Sequence, residues 1–174
     1  MADSDHREGQ TVAGKKDRLF LALSGINGWS LVIAGAVSFL IAAFARTPAG
    51  ILVSLAILGH GSLELRLRKT ASENGDRSQG RRMAFNQMGL ATSVSLYLAY
   101  QALKLEPAAV IESLIRPPVS DILNLYPLDM RTWIIQSSPR FIGAFYAIAA
   151  VITWIVCGAT AAFYWPRSNR VKAS

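Results

Sequence analysis

His60 and Glu64 stand four residues apart, and no other ionisable side chain lies between Arg46 and Arg66. On a helix that spacing puts both on one face. Ionisable groups inside an apolar helix are candidates for proton or ion handling. Arg68 follows Glu64 at the next i+4 position, in the acid-before-base order that favours a local ion pair. Asn86 and Gln87 open the next apolar run. If the two helices run antiparallel through a short linker, all these residues reach similar depth. His60, Glu64, Arg68, Asn86 and Gln87 therefore form a candidate polar joint. In the plainer reading Glu64 is satisfied by Arg68 and by interhelical amide donors, so that Glu64→Gln should leave stability nearly unchanged. In the sharper one, His60, Glu64 and Ser93 line a watery path through which a small transporter or channel moves protons or ions.

Other chemistries lack their residues. There is no phosphate loop, HExxH zinc motif, CxxC pair or nucleophile elbow. The histidines are His6 and His60 and the one cysteine is Cys157, so no metal site, disulfide framework or catalytic group is expected. No cofactor is expected either, and the chain reads as a non-enzyme.

The elements that must position the joint follow from composition. Of 174 residues, 52% are hydrophobic and 17% charged, against about 25% charged in soluble domains. The apolar residues concentrate in runs at 19–45, 47–63, 83–103 and 141–165. Each is near the ~20 residues a helix needs to cross ~30 Å of hydrocarbon. A secreted, nuclear or freely soluble protein is excluded by this arithmetic. The expected fold is all-α: an integral membrane bundle of four transmembrane helices near 25–45, 48–67, 83–103 and 141–165. Residues 1–18 read as a mobile cytoplasmic tail, 19–167 as the membrane domain and 168–174 as a second cytoplasmic tail. Ala43-Phe44-Ala45 has the form of a signal-peptide cleavage site. The run before it is too long for a signal h-region, so the first span is expected to be retained.

The formal charge of +7 is distributed unevenly. With both termini cytoplasmic, the inner segments hold Arg7, Lys15, Lys16, Arg18, Arg66, Arg68, Lys69, Arg77, Arg81, Arg82, Arg167, Arg170 and Lys172, and the outer ones Arg46, Lys104, Arg116, Arg131 and Arg140. That split of 13 to 5 orients the chain by the positive-inside rule in a cell inner membrane. It also explains the basic charge without nucleic acid, pointing instead to anionic lipid at the cytoplasmic face.

Arg46-Thr47-Pro48-Ala49-Gly50 predicts a tight turn between the first two spans, with Pro48 in the first turn of the second helix. The external loop 104–140 predicts two short amphipathic helices. The first opens at Pro107 and is ended by Pro117-Pro118; the second covers 121–136. In the last span Gly143, Ala147, Ala150, Cys157, Gly158 and Ala161 recur at helical spacing. They form a candidate helix-packing face for the bundle itself, for a homo-oligomer or for a membrane-protein partner.

Glu64-Leu65-Arg66 closing a span, a basic linker, Asn86-Gln87 opening the next span and the stretch from Gly158 to Tyr164 closing the last together resemble an uncharacterised family of small four-span bacterial inner-membrane proteins. The similarity covers mostly spans two to four. Glu64 and Gln87 match that pattern, whereas Cys157 stands where the pattern usually has a polar residue before the glycine. The resemblance implies a four-span fold and carries no activity. Small multidrug transporters also have four spans, but they keep a mid-bilayer carboxylate in the first, and this chain has none there. The leading expectation is a non-enzymatic scaffold or accessory subunit, with the small transporter or channel using Glu64 and His60 as the alternative.

Overall fold

The structure is a computed structural model that describes residues 3–74 and 79–165, and it is all-α, with no strand among them. Six helices follow in order: α1 (Asp3–Phe44), α2 (Pro48–Asn74), α3 (Gln79–Leu103), α4 (Pro107–Leu114), α5 (Val119–Leu123) and α6 (Leu128–Tyr164). The expected tail at 168–174, and Arg77 in the linker, lie outside the described residues.

Three stretches are long and apolar enough to cross a membrane: Leu19–Phe44, Pro48–Glu73 and Leu128–Tyr164. These are three of the four stretches expected to span; α3 is not among them. α3 has the length, 25 residues, but Asn86, Gln87, Thr92, Ser93, Ser95 and Gln101 lower its hydropathy. A run free of charges is not thereby apolar.

Two boundaries also differ from expectation. The backbone of residues 3–18, expected as a tail, continues α1 without a break, and the span expected to begin near residue 25 is part of one helix from Asp3 to Phe44. Gly25 and Gly28 are close-approach positions. A Cβ at Gly28 would lie 2.7 Å from Leu65, and one at Gly25 2.8 Å from the Arg68 guanidinium. At the other end, the helix expected at 121–136 and the span expected at 141–165 are not separate. α5 ends at Leu123, and α6 then runs 37 residues from Leu128, with Pro139 inside it. Pro139 removes one backbone donor but is not followed by turn residues, so the helix resumes.

The α1–α2 connection forms as the sequence predicts. Arg46 N–H donates to Ala43 (3.1 Å) and Thr47 N–H to Ala42 (3.0 Å), while Arg46 adopts φ 53°. This pair of bonds closes a helix C-terminus through a left-handed residue, a place more often taken by glycine. Thr47 then accepts from Ile51 N–H (3.0 Å) as the residue capping α2, with Pro48 in its first turn.

The contacts divide the chain into two units. One holds residues 1–93 and 155–174, the other 94–154. In the first, α1 and α2 pack backbone to backbone: a Cβ at Gly35 would lie 2.9 Å from the Leu58 nitrogen, and one at Gly61 2.9 Å from the Val32 nitrogen. Its buried apolar cluster joins Phe20 of α1, Met83 and Ala84 of α3, and Ala161 and Tyr164 of α6. Phe20 and Tyr164 meet edge to face at 5.4 Å. In the second unit, Leu123 is buried, Arg116 pairs with Glu112, Arg131 donates to Asn124 Oδ1 (2.6 Å), and Trp133 meets Phe141 edge to face.

Candidate functional site

Glu64 sits on α2 at 0% exposure, and side chains from three other helices converge on its carboxylate. From α1, Asn27 Nδ2 donates to Oε1 (3.2 Å). From α6, the Tyr164 hydroxyl donates to the same oxygen (2.5 Å). From α3, Asn86 Nδ2 (3.1 Å) and Gln87 Nε2 (2.8 Å) donate to Oε2. A carboxylate offers about four lone-pair positions, so each oxygen here has its full complement of donors. All four donors are neutral. The negative charge is met by hydrogen bonds, each stronger for having a charged acceptor, and not by a cation.

The sequence-derived joint is thus assembled except at one member. Arg68 does not pair with Glu64; its Nε donates to the Leu21 carbonyl of α1 (2.8 Å). The reason is geometric. α1 approaches α2 closely at Gly25, which places the Leu21 carbonyl within reach of the guanidinium, while the α3 amides and Tyr164 already fill the space around the carboxylate.

One helical turn away, His60 is tied into the same network. Asn86 spends one amide hydrogen on Glu64 and the other on the His60 carbonyl (3.0 Å). Its Oδ1 is then left to accept, so the 2.7 Å contact with His60 Nδ1 assigns the imidazole proton to Nδ1. His60 Nε2 faces Ser93 Oγ at 3.4 Å, and that hydroxyl donates to the Gly89 carbonyl (2.9 Å). Glu64, Asn86 and His60 form one hydrogen-bonded chain, and with the imidazole proton on Nδ1 and the Ser93 hydrogen spent on Gly89, Ser93 stands beside it without a shared proton.

Two residues of this site, Asn27 and Tyr164, escape sequence reasoning. Asn27 is an uncharged polar residue inside the first apolar run, and Tyr164 figures only as the end of the stretch from Gly158 that closes the last span. A signal for Asn27 is present nonetheless: it lies 19 residues before Arg46 and Glu64 lies 18 after, so a hairpin turning at Arg46 brings them level. Tyr164 has no such signal, because its helix follows a long connection.

The candidate packing face on α6 is not assembled as one surface. Ala161 is in the buried cluster and Cys157 is buried beside it. Ala147 is exposed, Gly143, Ala150 and Gly158 are half-buried, and a Cβ at Gly143 or Gly158 would meet nothing within 4 Å. Gly143, Ala147 and Ala150 also belong to the second unit. Within this chain the packed α6 positions are Cys157, Ala161 and Tyr164.

Among the described residues no group of three His, Cys, Asp or Glu side chains could hold a metal ion. A groove of about 390 Å³ is lined by Leu23, Ile26, Asn27 and Ser30 of α1 and by Ala159, Thr160, Phe163 and Tyr164 of α6. Glu64 itself is shielded from it.

No protein-family model, curated protein or solved structure matches the chain.

Proposed function

We propose that the chain is a non-enzymatic, multi-pass membrane scaffold or accessory subunit of a bacterial inner membrane, in which Glu64 is the knot that holds four helices together. The observation that carries this reading is the saturation of a fully buried carboxylate by donors from α1, α3 and α6. A carboxylate that loads and releases ions has to trade protein partners for water or substrate. This one has every position occupied from within. The same arrangement supports α3 as a fourth span. Asn86 and Gln87 are spent on Glu64 and His60, so their share of the low mean hydropathy is not polarity that lipid would meet. In the full reading both termini are cytoplasmic, in keeping with the 13 to 5 charge split. α4 and α5 lie along the outer surface, where exposed Ile115, Val119, Ile122 and Leu125 face the headgroup boundary. Partners are anionic lipid inside and a membrane protein or second copy alongside, with no role for nucleic acid.

A small transporter or channel is favoured by one specific observation: half-buried His60 communicates with Glu64 through Asn86. The two readings separate in liposomes. Under the scaffold reading the wild-type chain passes no proton flux above protein-free vesicles along a pH gradient, and Glu64→Gln lowers thermal stability in detergent. A wild-type flux that vanishes in a folded Glu64→Gln variant would overturn it.

A further inference from the structure

We propose that Arg81, packed against the rings of Phe85 and Trp165, binds the phosphate of an anionic phospholipid. The guanidinium carbon lies 5.6 Å from the Phe85 ring centroid and 5.5 Å from that of Trp165, and the two rings meet edge to face at 5.9 Å. Arg81 is exposed, as is its neighbour Arg82, and Phe85 and Trp165 are 56% and 43% exposed. The other arginines whose partners have been described are satisfied within the chain: Arg68 by the Leu21 carbonyl, Arg116 by Glu112 and Arg131 by Asn124. Arg81 has no ion pair or hydrogen-bond acceptor among the described residues, only the two rings.

Such a cation is positioned but not neutralised. The rings restrict a long side chain before any ligand arrives, and the planar fork of N–H donors matches phosphate oxygens. The apolar surface beside the fork selects the source of that phosphate. A free phosphate would leave both rings in water, whereas a phospholipid lays its acyl chains against Phe85 and Trp165. Trp165 also follows directly on the most apolar of the candidate spans, at the depth where tryptophan marks the hydrocarbon-to-headgroup boundary. The inference rests on the membrane-embedded reading above.

The test uses the full chain with Trp29, Trp133 and Trp154 replaced by Phe, leaving Trp165 as the only indole, in phosphatidylcholine vesicles. These carry a small fraction of acyl-brominated phosphatidylglycerol or, separately, acyl-brominated phosphatidylcholine. The anionic quencher should associate with Trp165 roughly fivefold more strongly, the factor equivalent to about 1 kcal/mol for one basic residue at a membrane surface. Arg81→Gln should erase that preference and Arg46→Gln should keep it. Equal quenching by both lipids, or a preference that survives Arg81→Gln, would overturn the site alone. Quenching by neither would instead overturn the membrane-embedded reading on which it rests. Suppression of the preference by millimolar inorganic phosphate would overturn the choice of lipid as ligand. If the triple replacement does not fold, native mass spectrometry of the wild-type chain and Arg81→Gln decides the same point. Bound phosphatidylglycerol should fall in the variant, and unchanged occupancy would overturn the proposal.

Discussion

At the scale of single residues, the identity of Glu64 is set by the polarity of its four donors. Glutamine matches glutamate in shape, but its amide nitrogen would face either Asn86 and Gln87 or Asn27 and Tyr164, all of which donate to the carboxylate. Hydrogen-bond direction therefore argues for a cost where the sequence alone argues for near neutrality, and a loss of about 1.5–3 kcal/mol is expected for Glu64→Gln as donors lose a charged acceptor. Tyr164→Phe isolates one of those bonds, because the ring can keep its edge contact with Phe20. It should cost about 1.5 kcal/mol, where the range for hydrogen bonds to charged groups meets the upper end for interhelical bonds in membranes. Thermal unfolding in detergent checks this, and an unchanged midpoint for Tyr164→Phe would mean that the hydroxyl contributes nothing to the knot.

At the scale of elements, α1 and α2 form the tightest pair, and glycine is the reason. Gly61 meets the Val32 nitrogen and the Gly28 carbonyl so closely that a methyl group would have to push the helices apart. Two residues earlier, Gly59 faces open space. Gly61→Ala should therefore destabilise the protein, by an amount in the 1–3 kcal/mol range typical of overpacking, and loosen Asn27 from Glu64. Gly59→Ala should raise stability by up to about 1 kcal/mol through helix propensity alone. Melting the two variants side by side is the measurement; equal shifts of the same sign would show that the close approach at Gly61 is not what holds the pair.

At the scale of the whole molecule, the four-span reading predicts that α2 ends and α4 begins on opposite sides of the membrane. Ser72 and Ser113 are both exposed, on α2 and in α4, and Cys157 can be removed as Cys157→Ser. Cysteines placed singly at Ser72 and Ser113 in that background should react with a membrane-impermeant maleimide from opposite faces of oriented vesicles. Labelling of both from one face would leave α3 as a helix that does not cross.

Composition and residue order alone settle that this is an all-α chain with long apolar helices. Local rules were enough to place the turn at Arg46-Thr47-Pro48, because a helix stop and the next helix start lie within a few residues of each other. They also bring His60, Glu64, Asn86 and Gln87 to one place, since short connections force neighbouring helices to run antiparallel. Other features depend on partners distant along the chain. Tyr164 reaches Glu64 across 100 residues of sequence, and no periodicity encodes that contact. Arg68 exchanges its expected partner for the Leu21 carbonyl because α1 approaches where glycine allows it. Two of the polar residues of α3, Asn86 and Gln87, are buried donors to Glu64, which a window average cannot separate from polar residues on an exposed face. Periodicity and turn chemistry determine elements and neighbours, whereas the destination of each buried donor is decided only when three helices converge on the same two carboxylate oxygens of α2.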